Sequence, residues 1–167
     1  ITNNHLEIID LLRNLNLGER KIITPLSYGN PKYAKLINRY GCEILKSNFM
    51  PLNSFIEKKE YYNLISSCGY MIMNHKRQQG VGNINQALFK GIRVFLNKQN
   101  PLYSAYLKIG YQISQVEEIA EKKENAFIPL TKEQIKVNRS LILKNYKKNI
   151  VDNYYKEIIK ISENYNE

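Results

Sequence analysis

The sequence predicts an α/β domain built on a mostly parallel sheet with helices on both faces. Three observations predict it. Short apolar runs alternate with capped amphipathic segments through residues 1–116, the pattern of strand–helix–strand crossovers. The strand-like runs carry few polar alternations, as strands covered on both faces do. A glycine-rich turn, Arg77-Gln78-Gln79-Gly80-Val81-Gly82-Asn83, leaves one apolar run and opens a helix-like one.

The elements follow in order. Asn3 or Asn4 is placed to cap a helix carrying Leu6, Ile8, Ile9, Leu11, Leu12 and Leu15, and Gly18 is expected to end it. Lys21-Ile22-Ile23-Thr24 reads as a short strand closed by Pro25. Asn30-Pro31 is a cap with a first-turn proline. The helix it opens carries Tyr33, Leu36, Ile37 and Tyr40 and is expected to stop at Gly41, with a second strand at residues 42–45. Asn53 or Ser54 opens a further helix through Tyr61, Tyr62, Leu64 and Ile65, and Gly69 precedes a strand at residues 70–73. After the glycine turn come a helix over residues 84–90, stopped by Gly91, and a strand at residues 93–96. Asn100-Pro101 starts a helix with Leu102, Tyr106 and Leu107 inward, and Tyr111 to Ile113 is a weak last strand.

The character changes near Val116. Residues 117–125 are charged and read as a solvated helix end or loop, and Thr131-Lys-Glu-Gln starts a helical region expected to run toward the C-terminus with a break near Asn149. The expected organisation is therefore residues 1–116 as the sheet domain and 117–167 as a helical extension, packed on it or reaching to another domain. The first residue is Ile1 and an apolar helix begins almost at once, so a preceding N-terminal half belonging to the same protein is expected.

With 25 Lys+Arg against 15 Asp+Glu, the formal charge of +10 favours phosphate-rich partners: nucleotides, nucleic acid or an anionic membrane surface. Biased composition, rich in Lys, Asn, Ile and Tyr, accounts for the same excess. Cys42 and Cys68 form no short metal or redox pair and suit a reducing, cytoplasmic compartment. No apolar stretch approaches the roughly 20 residues of a spanning helix, so membrane association, at the inner face of the plasma membrane, would be peripheral. His5 and His75 lack neighbours at ligand spacing, and no metal site is expected. His75 follows a strand on the functional side of the sheet, where it could touch a ligand or be a plain loop histidine.

Glycines in the turn let backbone N–H groups approach an anion, and the helix that follows brings the positive end of its dipole. The expected ligand is phosphorylated and bound at the carboxyl ends of parallel strands. Arg77 could neutralise a diphosphate, with Lys76 beside it. Asn83 is a plausible cap. Asn97 and Asn100 flank a strand exit at the same rim, where turn chemistry before Pro101 is the alternative reading.

The run from Gly80 through Gln86-Ala87-Leu88 to Gly91 and Val94 resembles the donor-binding segment of two-domain, Rossmann-like (GT-B) glycosyltransferases. There, Gly-x-Gly-Thr is followed by Glu-Ala-Leu, a glycine and a strand. Asn83 stands here where threonine is common. Gln86 stands where a carboxylate often binds the donor ribose, so an amide contact would replace it. More narrowly, Arg77-Gln78-Gln79-Gly80-Val81-Gly82, with Leu96-Asn97-Lys98-Gln99-Asn100-Pro101 downstream, is similar to the bacterial TDP-N-acetylfucosamine:lipid II N-acetylfucosaminyltransferase family. Its members carry Arg-Gln-Gln-Gly-x-Gly and Leu-Asn-Arg-Glu-Asn-Pro. Lys98-Gln99 replaces Arg-Glu and removes a carboxylate. The likeness is specific from Tyr61 to Pro101, loose before Leu45, and slight beyond Val116.

The resemblance implies the carboxyl-terminal, donor-binding half of a hexosyltransferase of cell-envelope polysaccharide biosynthesis. The donor would be a dTDP-sugar and the acceptor a polyprenyl-diphosphate-linked glycan, with no metal or other cofactor. The nucleotide-sugar-binding residues would be Arg77, Gln78, Gln79, Gly80, Gly82, Asn83, Gln86, Asn97 and Asn100. No catalytic base is assigned, because in such enzymes it usually lies in the other half, and this chain alone is expected to be inactive. Two alternatives remain: a basic nucleic-acid-binding module using the lysine-rich tail, and a sugar-nucleotide epimerase of the same fold. In the tail, Lys144, Lys147, Lys148, Lys156 and Lys160 are interleaved with Asp152 and Glu157, which dilutes a single-sign stripe and argues against nucleic acid.

Overall fold

The structure, a computed structural model, describes residues 3–145. The expected break near Asn149 and the lysines from Lys147 onward lie outside those residues. The fold is α/β, with parallel strands flanked by helices. The chain runs α1 (His5–Arg13), β1 (Ile22–Pro25), α2 (Pro31–Leu45), β2 (Phe49–Leu52), α3 (Lys58–Ser66), β3 (Tyr70–Met73), α4 (Val81–Lys90), β4 (Arg93–Leu96), α5 (Pro101–Ile109), β5 (Ser114–Gln115), α6 (Glu117–Lys122) and α7 (Lys132–Asn145).

Strands β3, β4 and β5 form one parallel sheet, with Met71 opposite Val94 and Leu96 opposite Gln115. Alternation along the strands sorts the two faces. Met71, Met73, Val94 and Leu96 pack with Ile84, Ala87 and Leu88 of α4, Leu102 and Tyr106 of α5, and Leu141 and Ile142 of α7. Tyr70, Ile72 and Phe95 point the other way, toward Ile8, Leu11 and Leu15 of α1, Ile119 of α6, and Phe127. Helices therefore cover both faces, as predicted. Strands β1 and β2 pair in parallel as a separate sheet, Ile22 opposite Phe49, over a core of Ile9, Leu12, Ile37, Leu45 and Phe49. The expected single sheet is thus two, because β1 and β3 share no ladder.

Several boundaries move. Helix α1 ends at Arg13, before Gly18, and Asn4 at its start adopts a left-handed backbone (φ 48°) without a side-chain capping bond. The strand expected at residues 42–45 is helix: α2 runs through Gly41 to Leu45, and the strand is Phe49–Leu52. Gly41 is there for close approach, since a Cβ would run into the Phe49 ring. Helix α3 starts at Lys58, leaving Asn53 and Ser54 in the preceding loop. The last strand is Ser114–Gln115, just beyond Tyr111 to Ile113. Residues 117–125 are more structured than expected, with Ile119 fully buried. Helix α7 opens at Thr131, whose Oγ1 accepts from Gln134 N–H (3.3 Å) while Gln134 Oε1 accepts from Thr131 N–H (2.9 Å), a reciprocal capping box. It packs on α4, where Arg139 Nε donates to the Phe89 carbonyl (2.7 Å).

Candidate functional site

A cleft of about 1010 Å³ occupies the gap between β1 and β3. Its walls are α1, β1, α3, β3 and the glycine turn, which contributes Gln79, Gly80 and Asn83. The gap explains why β3 stays only half-buried while Val94, Phe95 and Leu96 beside it are fully buried.

The turn is built from β3 outward. Asn74 and His75 leave the strand and are both buried. Asn74 is held from three sides: Asn97 Nδ2 donates to its Oδ1 (2.7 Å), its Nδ2 donates to Glu7 Oε2 (2.9 Å), and Asn4 Nδ2 donates to its carbonyl (3.0 Å). Asn100 Nδ2 donates to the carbonyls of His75 (3.0 Å) and Arg77 (3.2 Å), while its Oδ1 accepts from Leu102 N–H (3.0 Å) and caps α5. Asn97 and Asn100 thus brace the loop through their amides. Lys76, Arg77 and Gln78 project from it, exposed.

Gly80 is the N-cap of α4 with φ 67°, a left-handed conformation that suits glycine. The first bond of the helix is Ile84 N–H to the Gly80 carbonyl (3.0 Å), so the N–H groups of the first turn have no partner within the helix. Asn83 is not the cap. It lies inside the first turn, and its Nδ2 donates to the Tyr61 hydroxyl (3.4 Å). Gly82 is exposed, and a Cβ added there would meet nothing within 4 Å. Its backbone is ordinary, and the left-handed conformation belongs to Gly80 alone in this turn. Gln86 is half-buried along α4. The structure therefore gathers Gln79, Gly80 and Asn83 at the cleft and leaves Arg77, Gln78 and Gly82 exposed outside its lining, while Asn97 and Asn100 brace the loop.

Two residues gain weight from the structure. Asn74 joins α1 to both strand exits; its sequence signal is an amide at the end of an apolar run. His5, at the start of α1, lines the same cleft as His75. Burial pushes the His75 imidazole below its ordinary value, and burial, then the charge of His75, does the same to His5. The Nδ1 atoms of both are buried without a hydrogen-bond partner. Among the described residues, no group of three or more His, Cys, Asp or Glu comes together to hold a metal, and no helix is long and apolar enough to cross a membrane.

The arrangement suits an anion: N–H groups without a helical partner and a helix dipole beside an open cleft, with Lys76 and Arg77 exposed in the loop that leads to them. No solved structure matches the chain. A family model described as 4-alpha-L-fucosyltransferase glycosyl transferase group 56 matches residues 1–160. The match takes in the glycine turn and extends well past Pro101, where the motif likeness stopped. With all but the last seven of its 167 residues inside the match, the chain belongs to the 4-alpha-L-fucosyltransferase family of glycosyl transferase group 56.

Proposed function

We propose that this chain is the donor-binding half of a GT-B enzyme that moves an N-acetylfucosamine-like sugar from a dTDP-sugar to a polyprenyl-diphosphate-linked glycan. The observation that carries the reading is Gly80. Its left-handed backbone opens α4 at the carboxyl end of β3, beside the cleft. A diphosphate there would meet the first-turn N–H groups of α4 and, from the loop before them, Arg77. In transfer, an acceptor hydroxyl attacks the anomeric carbon, and the bond from that carbon to the diphosphate oxygen breaks. Negative charge grows on the leaving oxygen, and fixed N–H groups and a helix dipole stabilise charge developing there. A base that removes the hydroxyl proton belongs, in this reading, to a second domain facing the cleft. The chain on its own would then show no transfer. In this reading residues 1–116 hold the nucleotide, with α6 and α7 packed against them. The enzyme works at the inner face of the plasma membrane, held there peripherally.

The test is calorimetric titration of the full-length protein with thymidine and uridine diphosphates, with circular dichroism as the folding check. Space around Gly82 means that Gly82→Val should fold and yet lose nucleotide binding, because the new side chain occupies the ligand's place. Arg77→Ala should weaken binding by roughly 1–3 kcal/mol, the worth of a charge-assisted hydrogen bond. A folded Gly82→Val protein that binds like wild type would make the turn purely structural.

A further inference from the structure

Among the described residues, His75 is a buried polar side chain that the fold leaves without a partner at Nδ1. It is 6% exposed. Buried imidazole nitrogens normally find a hydrogen-bond partner, because an orphan keeps the full cost of its lost hydration. Its placement is not loose. The His75 carbonyl is held by Asn100, and the preceding residue, Asn74, by Asn97, Glu7 and Asn4. The ring lies against the turn, its Cε1 4.0 Å from where a Cβ on Gly80 would sit. An unpaired nitrogen on a held backbone thus lies beside the helix N-terminus in the same cleft, covered until the ring turns about its Cα–Cβ bond to meet a ligand.

We propose that His75 is a ligand-contacting residue of this cleft, taking up a proton when a nucleoside diphosphate binds and donating a hydrogen bond from Nδ1 to a phosphoryl oxygen. This rests on the reading of the glycine turn as the diphosphate site. The proton comes from solvent, and no other bond is made or broken. Without ligand, burial keeps the imidazole neutral. A diphosphate supplies the opposite charge that offsets the burial penalty. The surrounding groups set the balance. His5 of α1 lines the same cleft, and its own charge is disfavoured by that of His75, so the empty pair resists protonation. Lys58 of α3 lines the cleft, and Lys76 and Arg77 follow His75 in the loop; all three oppose an imidazolium. Glu7 of α1, whose carboxylate accepts from the neighbouring Asn74, is the negative group on the α1 side and favours it. Tyr61 and Tyr62 of α3 also line the cleft, and Tyr33 of α2 stacks near His5, with ring centroids 5.9 Å apart. Among the described residues Glu124 is the carboxylate of the lining; it accepts from Asn16 N–H beyond the end of α1.

The experiment titrates full-length protein with thymidine diphosphate at pH 7.5, in buffers of different ionisation enthalpy. It compares wild type with His75→Asn, whose amide keeps a hydrogen-bonding atom near Nδ1 but takes no proton. The nucleotide's own titration is common to both and cancels in the difference. Wild type should take up about half to one proton more per nucleotide bound, and its affinity should fall about threefold to tenfold from pH 7 to 8 beyond any fall in the variant. A second measurement needs no variant: the His75 imidazole NMR signals of wild type, followed against pH, should titrate at higher pH with nucleotide than without. Nucleotide binding with equal proton counts, or an unmoved His75 titration, overturns the proposal and leaves the glycine turn standing. A folded wild type that binds no nucleotide overturns both.

Discussion

Gly41 and Gly80 show at the scale of single residues why a glycine's purpose is hard to read from sequence. Gly41 invites the reading of a helix stop, yet α2 passes through it and the Phe49 ring takes the space of its missing side chain. Gly41→Ala should therefore destabilise the fold by about 1–3 kcal/mol through overpacking, and Phe49→Leu in the same chain should recover part of that loss, measured by urea unfolding. In the turn, Gly80 and Gly82 look alike as letters, but only Gly80 needs the left-handed backbone. His5 and His75 give a second residue-scale prediction. Both are held below the ordinary value of 6.5, so as pH falls the unfolded chain binds protons first. Stability should be complete above about pH 6.5, decline as pH falls through the lowered folded-state values, and then level off. Unfolding free energies at pH 7.5 and 5.5 measure the decline, and His75→Asn should reduce it.

At the scale of elements, the most legible segments are those whose caps and periodicity agree. Helix α5 starts at Asn100-Pro101 and ends at Gly110, and α4 ends at Gly91, as their residue types require. Strand β2 is illegible for a physical reason. Phe49-Met50-Pro51-Leu52 contains a proline, which argues against a strand, but here it lies in a two-stranded sheet opposite Thr24. The end of α2 is equally hidden, because Lys46, not a glycine, takes the left-handed exit (φ 49°). The candidate site is legible as a turn and a helix. Its bracing is not, because the Asn74, Asn97 and Asn100 contacts join residues far apart in the chain. Asn100→Ala removes a cap and two loop contacts together. It should cost about 2–4 kcal/mol and raise hydrogen exchange in residues 74–80, while Ser104→Ala, on the exposed side of the same helix, should do neither.

At the scale of the whole molecule, alternation of apolar runs correctly announces parallel strands covered on both faces. It cannot announce the gap between β1 and β3, since pairing across a sheet depends on tertiary placement that strand patterns do not encode. The family match over residues 1–160 takes in both the turn and the helices that brace it, so the two lobes and the cleft between them belong to one family unit.

That gap has a mechanical consequence. Among the described residues no backbone ladder joins the two sheets. Helix α1 spans them instead, through side chains that reach both cores and through the bonds of Asn4 and Glu7 to Asn74. Ile72 of β3 and Phe127 also pack against the β1–β2 core, but strands in one continuous sheet melt together, whereas two sheets joined only through packed side chains are free to lose structure in sequence. The empty protein should accordingly unfold in two thermal steps, the β1–β2 lobe first, with exchange of its amides outrunning that of β3 and β4. A nucleotide lodged between the lobes would act as a splint, raising the lower step toward the upper until a single transition remains.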